Sequence, residues 1–463
     1  MRLLLLLLIL SLASGGDFLP GVAAQADGNE IEVVSQRAES DFPNGVRFFI
    51  EARSPDEIEE IRVLFKKLGQ TSRSAYRIVE FEPGKSISGE SLILSGKSGE
   101  YIPPGTRIEY SFEIRDKAGR VHRSEEKVFI YLDNRFEWRT ASDGLITVFY
   151  YGDAQNRAQT ILETAQETLQ RMGPVLGIEP DDPLHIVTYT NYRHMADALP
   201  FRAQAVEEQL ITQGIAFTEE RVLLVHGFDS TYVGTTSHEF THLLVADAAG
   251  RAIGRVPSWL NEGLAEYGNV GASEDYDQYL RNAIATGRLR PLWHQATFSG
   301  TPQEIIVAYG QGKSVVEYML ATYGPEKMAD LMSALKMTFD IDEALEQVYG
   351  FDQYGLDSEW RISLGLEPLP PPEGQEPQEQ PTPASTLPPT LVPTPASTPT
   401  ATPQPTPMPE PSPAASTENR RAPQASPGCS VPGHPGRMVT DLASLALLAG
   451  PLAMLSFRAL RRR

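Results

Sequence analysis

The chain has 463 residues, 41% hydrophobic and 22% charged, which suits a soluble protein of two ordinary domains with extra segments. A net charge of −20 argues against nucleic acid or an anionic membrane surface as the main partner. The single cysteine, Cys429, cannot form an internal disulfide, so each folded domain must be held by its own core.

The first stretch, "MRLLLLLLILSLASGGDFLPGVAAQADG", carries Arg2, an apolar run from Leu3 to Leu12 and small residues around Ala24-Gln25-Ala26. That run is too short to cross a bilayer and predicts a cleaved secretory signal over 1–26. Residues 30–138 predict β-structure. "RIEYSFEIRD" alternates, with Ile108, Tyr110, Phe112 and Ile114 on one face and Glu109, Ser111 and Glu113 on the other. "GVRFFIEAR", "EIRVLFKKL", "YRIVEFEPG" and "EKVFIYLD" are further strands between Gly, Pro, Asp and Asn turn signals. One apolar face per strand predicts an all-β antiparallel sandwich, whose pattern resembles immunoglobulin-like or fibronectin-like modules of bacterial surface proteins.

From Ser142 the texture changes, and 142–366 predict an α+β domain. "LITVFYY" and "LHIVTYT" are strands, and "GIAFTEERVLLVH" is one strand or a tight pair. "DAQNRAQTILETAQETLQRMG" is a helix with Asp153 as its N-cap and Gly173 just past its end. The remainder is mainly helical.

Residues 367–437 hold more than half of the 37 prolines, with Thr, Ser, Ala and Gln and few large apolar side chains. Such a segment cannot bury enough surface to offset the entropy of folding, and it predicts a disordered, extended stalk. "MVTDLASLALLAGPLAMLSF", 438–457, is long enough for one transmembrane helix, and "RALRRR", 458–463, predicts a basic cytoplasmic tail. Together with an export signal, this places the body on the extracytoplasmic face of the cell membrane, held by a single pass. A spacer, an apolar helix and a basic end also resemble bacterial tail signals that surface-sorting enzymes remove.

The chemistry is concentrated in "TTSHEFTHLLV", 235–245. Residues four apart share a helix face, so His238 and His242 can offer two imidazoles to one ion, with Glu239 beside them as a general base. Downstream, "VPSWLNEGLAEY" places Glu262 on a second helix, bounded by Gly250 behind and Pro257 in front. Two histidines and one glutamate leave a fourth zinc position open, as catalytic sites do; a structural site would more often be closed by cysteines. Glu266, one turn after Glu262, is placed to hold a ligand histidine by its other nitrogen. A surface binding protein, with a silent or structural zinc site, is the competing reading of the same residues.

"HEFTH" followed by "WLNEG" resembles the gluzincin metallopeptidases, the group of thermolysin and the zinc aminopeptidases, and in particular the bacterial peptidase MA-like domain. The resemblance covers roughly 145–366. It implies a single Zn2+ held by His238, His242 and Glu262, Glu239 as general base, and a peptide or protein substrate. "VAYGQGKSVVEYML" resembles the segment that supplies an oxyanion-binding tyrosine, which implies that role for Tyr309. The chain departs from the aminopeptidases at "GIAFT", Gly214–Thr218, where no acid stands to grip a substrate amine; Glu219 and Glu220 come just after. That departure favours an endopeptidase. The remaining histidines, at 122, 185, 194, 226, 294 and 434, suggest no second site, although His226 is close enough in sequence to line the cleft.

Overall fold

A computed structural model describes residues 30–70, 73–95, 101–200, 213–271 and 275–370. The predicted signal segment, most of the stalk, the transmembrane helix and the basic tail lie outside the described residues. Among the described residues, no helix is long and apolar enough to cross a membrane.

The N-terminal strands are β1 (Glu32–Asp41), β2 (Gly45–Arg53), β3 (Ile58–Lys67), β4 (Ser74–Ile78), β5 (Glu80–Phe81), β6 (Ser86–Leu94), β7 (Arg107–Asp116), β8 (Val121–Arg123) and β9 (Lys127–Ile130). They form two sheets, β1-β2-β6-β5 and β4-β3-β7-β8, with β9 also pairing β7. All the strand pairs are antiparallel. The two inner faces share one core, in which Phe48 and Ile50 of β2 meet Ile61 and Val63 of β3 and Phe112 and Ile114 of β7. The alternation expected for β7 is seen in Ile108, Tyr110, Phe112 and Ile114, all 4% exposed or less. "YRIVEFEPG" does not form one strand. Its first part pairs with β3 in one sheet and its second with β6 in the other, because Val79 turns inward between them and donates its N–H to Ile61 O.

A second sheet system follows: β10 (Arg139–Asp143), β11 (Ile146–Tyr150), β12 (Leu184–Tyr189), β13 (Gly214–Phe217) and β14 (Val222–His226), in the order β10-β11-β12-β14-β13. β11, β12 and β14 are parallel, and the outer strands β10 and β13 are antiparallel to their neighbours. The helix α1 (Gln155–Leu176) returns the chain between β11 and β12, as parallel pairing requires. α1 also passes the expected stop at Gly173. Met172, Val175 and Leu176 continue its buried stripe through Pro174, and Gly177 closes it in the left-handed region at φ 66°. Asp153 does not cap it; Ala154 occupies the N-cap position.

Both faces of this sheet are buried, which a parallel centre demands. Ile146, Val148, Leu184, Ile186, Leu223 and Val225 face the helices. The alternate residues, including Phe149, Tyr151, Val187, Tyr189 and Phe217, form a separate core with Tyr101, Phe136 and Trp138 of the N-terminal region and its connection. Phe136 stacks on Tyr151 at 4.1 Å, and Tyr101 meets Phe217 at 5.3 Å. The sandwich is thus the cover of the sheet's second face.

Among the described residues the other α-helices are α2 (Tyr192–Ala196), α3 (Tyr232–Ala249), α4 (Ser258–Gly268), α5 (Asp275–Ala285), α6 (Pro302–Tyr323), α7 (Pro325–Thr338), α8 (Ile341–Tyr349) and α9 (Gln353–Ser363). α3 is buried on nearly every side from Gly234 to Ala249, as expected of a central helix.

Candidate metal centre

His238 and His242 project from the middle of α3, where their rings lie 4.9 Å apart at 82° and are 1% and 4% exposed. Gly250 ends α3, and after a short 3-10 turn Pro257 precedes α4, as its N-cap and not within its first turn. α4 folds back and brings Glu262 to the pair. Its Oε2 lies 3.5 Å from His238 Nε2 and 3.4 Å from His242 Nε2, and the two Nε2 atoms are 3.2 Å apart. Among the described residues, this trio is the group of metal-type ligands that converges.

The outer nitrogens decide what the inner ones present. His238 Nδ1 lies 2.9 Å from Glu266 Oε1, and His242 Nδ1 lies 3.0 Å from Asn261 Oδ1. Each acceptor draws the ring proton to Nδ1, leaving Nε2 as a lone pair. Two lone pairs and a carboxylate oxygen then face one another, an arrangement that repels itself unless a cation or extra protons enter. The residues fit a metal. Ligands about 2.0–2.1 Å from a tetrahedral ion are about 3.3 Å from each other, which matches the three separations. Without an ion, protons take its place. Burial pushes the Glu262 carboxyl up, but the charge of His242 and the hydrogen bonds of both rings outweigh it and hold Glu262 at about 2. Burial likewise opposes charge on His242, and the neighbouring Glu262 overcomes it and raises its pKa.

Glu239 is 1% exposed and turns to the outer strand of the sheet, where its Oε2 accepts a hydrogen bond from Ala216 N at 3.1 Å. Tyr309, on α6, is brought alongside: its ring lies 6.4 Å from that of His238, between Tyr276 at 5.9 Å and Phe298 at 5.2 Å. α6 can come this close because Gly263 and Gly312 meet backbone to backbone. A Cβ on Gly263 would lie 2.4 Å from Gly312 O. All six residues singled out in the sequence therefore belong to one neighbourhood.

These residues fall within a recognisable family segment. Residues 164–365 match the Peptidase MA superfamily. No curated protein is significantly similar to the chain. The Peptidase MA match supports a metallopeptidase for this region, and the His-His-Glu cluster within it is a candidate metal site.

Within that Peptidase MA segment, the sequence did not single out Asn261, although it stands next to Glu262 in "WLNEG"; its signal is a lone amide in a helix that is otherwise mostly buried. Glu220 turns away from the site to pair with Lys67 of the sandwich, and the main-chain carbonyl of Glu219 accepts from Gln70 N. His226 is engaged by Gln213 Oε1 at 3.0 Å, and His185 by Gly105 O at 2.7 Å. A cavity of about 360 Å³ lies among Tyr279, Arg288, Arg290, Gln295 and Gln311, and none of the six predicted site residues lines it.

Proposed function

We propose that the protein is an exported, membrane-tethered zinc metallopeptidase that hydrolyses internal peptide bonds of proteins or peptides. The observation that carries this reading is the convergence of two imidazole lone pairs and one carboxylate oxygen at 3.2–3.5 Å, with a further buried carboxylate, Glu239, one residue along from His238. Export and tethering are supported by the apolar N-terminal run, the proline-rich segment and the 20-residue apolar stretch before the last arginines.

His238, His242 and Glu262 would hold the ion, and Glu266 and Asn261 would orient the rings. When bound, zinc supplies Lewis acidity, polarising a scissile carbonyl and acidifying water in its reach. Glu239 takes the proton of the attacking water and delivers it to the leaving amine. Tyr309 donates a hydrogen bond to the developing oxyanion. β13 is the outermost strand of its sheet, and main-chain groups on its outer side would pair with an extended substrate. β13, with the sequence GIAF, carries no acid to bind a free amine, and Glu220 just after it is drawn to Lys67, which supports internal cleavage over removal of single N-terminal residues.

The test is metal analysis of the purified protein, followed by digestion of casein and a peptide library with and without a chelator. One zinc per chain, chelator-sensitive cleavage within the peptides, and loss of about 10²–10⁴ in turnover for Glu239→Gln with zinc retained are expected. Zinc bound with nothing cut would instead favour a silent binding protein.

A further inference from the structure

β13 does more than close one side of the sheet. In an antiparallel pair, alternate residues turn their main-chain groups toward the partner strand and away from it. Gln213 O accepts from His226 N, and the register continues Gly214↔Val225, Ile215↔Leu224 and Ala216↔Leu223. Ile215 therefore points its N–H at β14, while Gly214 and Ala216 present theirs at the outer edge of the sheet. That outward N–H of Ala216 is the one bonded to Glu239 Oε2. One pleat earlier, Gly214 provides the space for the same side chain: a Cβ there would lie 3.0 Å from Glu239 Cγ and 2.6 Å from Thr235 Cγ2.

We infer that β13 positions the general base, with the Ala216 N–H holding the Glu239 carboxylate and the bare Cα of Gly214 admitting its stem. This rests on the reading of Glu239 as the base and adds to it a consequence for substrate. Because Ala216 gives its N–H to Glu239, an extended peptide on this edge is left with the Ala216 carbonyl and the Gly214 main chain. The strand that sets the peptide's register is then the strand that sets the base, so base and scissile bond are placed by one element. Small misplacements of a reacting group are costly, about a hundredfold for 1 Å.

Two measurements test this. In amide hydrogen exchange on the protein as purified, the Ala216 N–H should exchange at least about tenfold faster in Glu239→Ala than in wild type, with the Ile215 amide unchanged. Equal Ala216 rates in the two proteins would overturn the contact whether or not the protein cuts peptides. In peptide hydrolysis, Ala216→Pro removes the N–H at an outward edge position, where proline is tolerated, and Gly214→Ala crowds the Glu239 stem. Each should lower kcat at least about tenfold with KM and zinc content near wild type. If KM rises while kcat holds, the amide serves the substrate and the inference fails. If Glu239→Gln is itself active, the proposed function fails first, and the exchange result still decides the contact.

Discussion

What each histidine does inward is decided by what it touches outward. Glu266 and Asn261 fix the Nδ1 protons of His238 and His242, and this leaves the two Nε2 atoms with the lone pairs that a metal ion would need. Glu266→Ala and Asn261→Ala should each weaken zinc binding about 10–100-fold in a competition titration against a chromophoric chelator. Affinity equal to wild type in both would remove the tautomer argument while leaving the three ligands in place. In the sequence, the pairing of His238 and His242 was legible because helical geometry alone relates residues four apart, and Glu262 was reached through its place on the following helix and the likeness of "WLNEG". Asn261 was not, because its role depends on how α4 crosses α3.

Among the elements, the decisive contacts are those that bring separate helices to one point. α6 carries Tyr309 to the site across the Gly263–Gly312 contact, where neither residue has a side chain to keep the backbones apart. Gly263→Leu should destabilise the protein by about 1–3 kcal/mol or more, read from the midpoint of denaturant unfolding, because the new side chain has no space to occupy. α1 teaches the opposite lesson. Its expected stop at Gly173 is overruled by two further buried residues, Val175 and Leu176, on its apolar stripe. Pro174 still forgoes its own N–H and crowds the carbonyl of Gln170, so the burial beyond it has to offset that cost.

For the whole molecule, the sandwich and the region of the candidate metal centre share a core, so they are not independent beads. Phe149, Tyr151, Val187 and Tyr189 would be exposed without Tyr101, Phe136 and Trp138. His185 sits at this junction, its Nδ1–H donating to Gly105 O and its ring edge-on to Phe149, with Arg107 nearby. Burial, then the Arg107 charge, keep its pKa below the usual 6.5 against the opposing Gly105 hydrogen bond. The folded protein thus holds His185 neutral where the unfolded chain would take up a proton. Its contribution is full above about pH 6.5 and is lost as the pH falls through the lower folded value. A single thermal transition for the two regions is expected, with a midpoint that drops on acidification, and less steeply in His185→Gln. Two separate transitions at neutral pH would contradict the shared core.

The sequence by itself determined the local facts: a histidine pair on one helix face, a carboxylate on the next helix, the alternating strand β7, and the composition of the two ends. These follow from periods of 3.6 and 2 residues and from polarity, which neighbours in the chain define. Tertiary structure alone decided the rest. It set which nitrogen of each histidine faces inward, which main-chain amide meets Glu239, where Glu220 turns, and that the sandwich covers the sheet. Those outcomes depend on how elements far apart in sequence come together in space, and no local period encodes that distance.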